Sequence, residues 1–94
     1  MSHSFSVIGL NHGHIYGQVQ GLLEAGWTLK HVYAAEEDLV GQFTSKFTNV
    51  DVVESAAHIL EDEGIDLIAS ASINADRGPL AVEAMDAGKH FFVD

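Results

Sequence analysis

Residues 5–8, Phe-Ser-Val-Ile, make a short run of the kind that becomes a buried strand. They lead directly into Gly9-Leu10-Asn11-His12-Gly13-His14 and then into a segment of helical periodicity. A strand, a glycine-containing loop and a helix in this order constrain the chain more than any other feature. Such a loop sits at a helix N-terminus, where N–H groups without helical partners and the helix dipole attract anions. The strand itself needs parallel neighbours, which the following sequence has to supply.

The periodicities supply them. Ile15, Val19, Leu22 and Leu23 recur at helical spacing and stop before Gly26, a suitable left-handed cap. Leu29 to Ala34 reads as a second strand, less purely apolar than the first, and Leu39, Val40, Phe43 and Phe47 mark a second helix. The acidic run Glu36-Glu37-Asp38 suits that helix's positive end. Val50 to Val53 is a short strand at best. Ser55 can cap a helix with Ala56, Ile59 and Leu60 on its apolar face and Gly64 as terminator. Residues 65–69 form a fourth strand. A helix with Pro79 near its first turn and Leu80, Val82, Ala84 and Met85 within it ends before Gly88, and His90 to Val93 is the fifth strand.

Alternation with short connections forces parallel pairing, right-handed crossovers and helices on both faces. The expected fold is therefore a three-layer, doubly wound Rossmann-type α/β domain with a mainly parallel sheet of about five strands. In the order 3-2-1-4-5 the fifth strand lies at an edge. An open, aromatic edge is a template for pairing with a second copy, so a homo-oligomer through this edge is an expectation of the sequence.

Composition removes several partners. Fourteen acidic residues against four basic ones give a formal charge of -10, which repels nucleic-acid phosphates and anionic membrane surfaces. No apolar window of membrane-spanning length occurs, and Met1-Ser2-His3-Ser4 has no basic residue ahead of an apolar stretch. The chain has no cysteine, which fits a reducing compartment, and a cytoplasmic location is expected.

Within the loop, Gly9 stands where the strand must turn tightly. The dinucleotide pattern G-x-G-x-x-G is satisfied strictly only there, because Asn11 occupies the second glycine position and His14 the third, one residue after Gly13. Gly17 and Gly21 could compensate by letting the first helix pack close to the sheet. His12 is read as a hydrogen-bond donor to a pyrophosphate; His14 is either a phosphate contact or a solvent-facing residue. At the end of the second strand, where an acid would hold the adenosine ribose, the sequence reads Tyr33-Ala34-Ala35. Glu36 is the nearest acid, either reaching back to the ribose or decorating the helix start. The absence of a neighbouring Arg or Lys for a 2'-phosphate favours NAD over NADP. Ser70, Ser72 and Asn74 follow the fourth strand and could contact ribose or nicotinamide, or could cap the next helix. Arg77 either neutralises ligand charge or pairs with Asp76 or Glu83. His12 and His14 flank Gly13, but two ligands do not make a closed zinc site, and His3, His31, His58 and His90 share no ligand spacing, so no metal site is expected, nor a covalent nucleophile.

The segment from Val7 to His14, the run Pro79 to Gly88 and the ending Lys89-His90-Phe91-Phe92-Val93-Asp94 together resemble the N-terminal domain of the glucose-fructose oxidoreductase, inositol dehydrogenase and MocA-type family. The resemblance covers essentially the whole chain, with Asp94 at the position of the family's terminal Glu. It implies an NAD(P)-binding Rossmann domain over residues 1–94, truncated before the family's Lys-Pro pair and lacking the C-terminal substrate domain. It further implies an oxidoreductase parent that moves hydride between nicotinamide and a secondary alcohol or ketone of a sugar- or cyclitol-like substrate, with this fragment inactive alone. A non-catalytic nucleotide- or NAD-binding module, or a structural α/β interaction domain, are the alternatives.

Overall fold

The structure, a computed structural model, describes residues 3–11, 13–71 and 82–93. His12, Ser72, Asn74, Arg77, Pro79, Leu80 and Asp94, singled out above, lie outside the described residues. Strands β1 (Ser4–Leu10), β2 (Thr28–Tyr33), β3 (Asp51–Val52), β4 (Leu67–Ala71) and β5 (His90–Val93) alternate with helices α1 (His14–Glu24), α2 (Glu37–Lys46) and α3 (Ala56–Leu60). Between β4 and β5 the described residues include a helical segment at 82–86. The five strands form one parallel sheet in the order β3-β2-β1-β4-β5. The doubly wound arrangement expected from the alternation is the observed one.

Burial follows from that order. β1 is central, and its residues 5–10 are all buried, as a strand covered on both faces must be. On one face Phe5, Val7 and Leu10 pack with Ile15 and Val19 of α1 and Phe43 of α2. Tyr16, Phe43 and Phe47 lock the two helices together, with ring centroids 4.9 to 6.1 Å apart. On the other face Ile8 and Ile68 meet Ile59 of α3, Ile65 and Ala84. Val82 and Met85, placed within the last helix by the sequence, are exposed.

Two register shifts explain how β1 serves both faces. Against β2 the pairing runs Phe5 to Leu29 and then Val7 to Val32, so β2 carries one extra residue. This bulge returns Val32 to the face of Leu29 and leaves Lys30 and His31 to reach Asp62. Ser6, fully buried, accepts the His31 N–H at 3.1 Å and repairs the interrupted ladder. The polar interruption that made β2 look less regular in sequence is this bulge. Against β4, Val7 pairs with Ala69 but Leu10 with Ala71, so here β1 has the extra residue. Gly9 lies in that interval with φ +92°.

The opposite end of the sheet is tied by the loop before β4. Asp62 accepts from Lys30 Nζ at 2.7 Å, from the Gly64 N–H at 2.8 Å and lies 3.2 Å from His31 Nε2. The Lys30 ammonium, the Gly64 amide and His31 hold its carboxyl down at about 2, against a smaller opposing effect of burial. Lys89, buried, donates to the Asp62 and Ile65 carbonyls at 2.6 and 3.0 Å. This is a structural clamp and lies away from the strands' carboxyl ends.

Local signals held at the caps. Gly26, with φ +94°, ends α1 while the Trp27 N–H returns to the Leu22 carbonyl at 3.0 Å. The Ser55 hydroxyl accepts the His58 N–H at the start of α3. Two glycine assignments need correction. Gly64 does not terminate α3, which stops at Leu60; its amide serves the Asp62 carboxylate instead. Gly17 and Gly21 do not bring α1 close to the sheet, because both are exposed and a Cβ on either would meet nothing within 4 Å.

Candidate functional site at the carboxyl ends of the central strands

In an open parallel sheet the crevice outside the strands' carboxyl ends, where the winding reverses, is the place for a ligand. Here that place lies between β1, flanked by β2 on one side and β4 on the other, and the start of α1. Gly9 shapes it in a way that differs from the tight turn expected after the strand. It is buried inside β1, and its positive φ produces the bulge that re-aims the strand's last residues. Leu10 thereby faces the α1–α2 core, whereas simple alternation would put it on the side of Ile8. The ladder closes again one residue later, where the Asn11 N–H donates to the Ala71 carbonyl at 2.8 Å.

With its backbone fixed in this way, Asn11 projects an exposed side chain whose Nδ2 donates to Glu36 Oε2 at 3.3 Å. Glu36 stands just past β2 and is the N-cap residue of α2, yet its carboxylate makes no capping bond to that helix. Its side chain is turned instead toward the loop after β1, where it accepts from Asn11. A carboxylate has about four lone-pair positions on its two oxygens, so the bond from Asn11 leaves capacity for ligand hydroxyls.

Gly13 is the N-cap of α1 with φ −63° and ψ −18°, and Gly13 and His14 are both exposed. The first turn of α1 carries no acidic side chain, so no carboxylate on that turn repels an anion at the helix start. The first turn of α2 carries Glu37 and Asp38, which makes the neighbouring end of the site negative. Beside it, a groove of about 410 Å³ is lined by Tyr33, Val40, Val52 and Val53 with Glu37 and Glu54 at its polar side.

Gly9, Asn11, Gly13, His14 and Glu36 are thus gathered at one end of the sheet. Ser70 is not with them at the surface: it is fully buried within β4, opposite Val93 of β5. His12, Ser72 and Asn74 lie outside the described residues. The bond between Asn11 and Glu36 was not legible in sequence, since 25 residues separate them and only the pairing of β1 with β2 makes them neighbours. The Ala71 carbonyl that anchors Asn11 was missed for the same reason. Among the described residues no group of three metal-ligating side chains occurs, and no helix is long and apolar enough to cross a membrane.

The chain matches no protein-family model and no curated protein. It does match solved structures. One protein assigned as an oxidoreductase, from Erwinia carotovora atroseptica SCRI1043, is 44% identical over 97% of this chain, with a TM-score of 0.94. Another, from Klebsiella pneumoniae, is 28% identical over 98% of the chain, with a TM-score of 0.77. Biliverdin reductase from Synechocystis sp. PCC 6803, solved with biliverdin and NADP+, is 23% identical over 96%, with a TM-score of 0.81, a likeness of fold. This chain spans 27%, 26% and 28% of those proteins respectively. The fold is the Rossmann fold of NAD(P)-binding oxidoreductase domains.

Proposed function

We propose that this chain is the nicotinamide-dinucleotide-binding domain of an oxidoreductase that acts on a secondary alcohol or ketone of a sugar- or cyclitol-like substrate, with NAD preferred to NADP. The resemblance to the glucose-fructose oxidoreductase, inositol dehydrogenase and MocA-type family motivates the substrate class. The 44% identity to a protein assigned as an oxidoreductase, of which this chain spans 27%, supports a longer oxidoreductase parent, and the family resemblance motivates its substrate domain. The observation that carries the reading is the placement of a Glu36 carboxylate and an acid-free helix start on either side of the Gly9 bulge.

Those residues fit a dinucleotide. The Gly9 bulge and the start of α1 at Gly13 and His14 would take the pyrophosphate, with the helix dipole favouring its charge. Glu36 would accept from the adenosine ribose hydroxyls, and the apolar side of the Tyr33 and Val52 groove suits a flat base. His12, Ser72 and Asn74 remain candidates for the pyrophosphate and nicotinamide ends. When bound, the nicotinamide supplies the hydride chemistry. This domain's share is to bind and orient it, and the substrate domain contributes the acid–base group.

Titration calorimetry of residues 1–94 with NAD and NADP tests the reading. Saturable one-to-one binding of NAD, with NADP weaker, is the expected result. Absence of binding by both dinucleotides overturns it.

A further inference from the structure

We infer that Asn11 is a specificity-setting residue: it positions the Glu36 carboxylate, and through it the choice between NAD and NADP. The inference rests on the dinucleotide reading above and goes beyond it, because that reading needs only Glu36 itself.

Three observations carry it. The Asn11 Nδ2 to Glu36 Oε2 bond joins the loop after β1 to the residue after β2 at 3.3 Å, across the mouth of the site. The Asn11 backbone is immobilised independently of its side chain, by the bond from its N–H to the Ala71 carbonyl at 2.8 Å. And Glu36 makes no capping bond that would otherwise hold its side chain, so α2 alone does not orient it. An exposed glutamate with three side-chain torsions samples many directions, and holding it in one of them costs rotamer entropy. The amide pre-sets that choice before a ligand arrives.

The chemistry explains the discrimination. The amide is a neutral donor, so it orients Glu36 without cancelling its charge. An oriented carboxylate accepts from a ribose diol and repels a 2'-phosphate, and the neighbouring Glu37 and Asp38 add to that repulsion. The side chain of Asn11 thus takes the space of the pattern's second glycine in exchange for a fixed acid at the ribose. A residue placed only to shape the pyrophosphate loop would act on both dinucleotides alike.

The ratio of NAD to NADP affinity separates these roles, because pyrophosphate approach and fold stability are common to both ligands and cancel. Calorimetric titrations of the 94-residue chain, Asn11→Ala, Asn11→Gly, Glu36→Ala and the double variant Asn11→Ala with Glu36→Ala are compared, with circular dichroism to establish that each is folded. The side chain of Asn11 is exposed and its ladder bond is made by the backbone, so these variants keep the fold. The NAD preference is expected to fall by about two- to fivefold in both Asn11 variants, the scale of a hydrogen bond at an exposed site. In the double variant it should fall no further than in Glu36→Ala. An unchanged ratio in the Asn11 variants, with a changed one in Glu36→Ala, overturns the inference and leaves the dinucleotide reading standing. Failure of the unaltered chain to bind either dinucleotide overturns both.

Discussion

Replacing Gly9 by alanine puts the bulge in β1 to a quantitative test, and Gly26→Ala supplies a matched control. Both glycines have nearly the same backbone angle, φ +92° and +94°. An L-residue held in that region costs roughly 1–2 kcal/mol, of which about 0.5 is returned because alanine stiffens the unfolded chain. At Gly26 the added Cβ meets nothing within 4 Å, so the backbone cost of about 1 kcal/mol is the whole effect. Gly9 is buried in the central strand between two helical layers, and crowding there adds roughly 1–3 kcal/mol. For a domain of this size a loss of 1 kcal/mol lowers Tm by about 4–8 °C. Gly26→Ala should therefore melt about 4–8 °C below the parent and Gly9→Ala about 10–30 °C below it. Neither loss exceeds the roughly 5–15 kcal/mol on which a domain stands, so both proteins can be titrated while folded at low temperature. NAD affinity should be unchanged in Gly26→Ala and sharply reduced in Gly9→Ala, because only Gly9 aims the strand end at the helix start. Thermal melts by circular dichroism with calorimetry at about 10 °C, below both transitions, read the two effects separately. If Gly9→Ala melts with Gly26→Ala and binds NAD like the parent, the bulge neither strains the strand nor builds the site.

Glu36→Gln should narrow the preference for NAD by a factor of about five, since exposed charges a few Å apart repel by about 1 kcal/mol; equal selectivity in variant and parent would reduce Glu36 to a helix-end charge. Lys89→Met should cost about 2 kcal/mol in urea unfolding, because the Asp62 and Ile65 carbonyls lose their shared donor, and a variant as stable as the parent would refute the clamp. The Asp62 carboxyl is held down at about 2 from 3.8, so its contribution is fully present above about pH 4 and is lost as pH falls through about 2. Discounted for its partial exposure to solvent, that contribution is about 1 kcal/mol. Asp62→Asn should be less stable than the parent by that amount at pH 7 and equal to it near pH 2; a gap that persists at pH 2 would assign the loss to packing.

The alternation of strands and helices, the strand order, the end of α1 and the start of α3 were all legible in the sequence, because each rests on local chemistry. Apolar spacing sets which face of a helix is buried, a glycine permits the positive φ at residue 26, and a serine hydroxyl reaches an amide three residues on. Parallel pairing then follows from short connections alone. Gly9, Asn11, Gly13, His14 and Glu36 could be picked out in sequence as candidates, and the fold brings them to one end of the sheet. What they do was not. Whether Gly9 turns the chain or bulges the strand depends on the register against β4, and a register shift is invisible until two strands are laid side by side. Ser70 was expected at the carboxyl end of the fourth strand; it lies within β4 instead, where β5 pairs alongside it and the layers above and below bury it. Gly17 and Gly21 fall on the exposed face of α1, which the rotation of the helix about its axis decides. Asn11 and Glu36 meet only because β1 and β2 are neighbours with a bulge between Leu29 and Val32. Local sequence thus determined which segments form and what chemistry they carry, while contacts between distant segments decided which side chains face one another, since one extra residue in a strand inverts every direction after it.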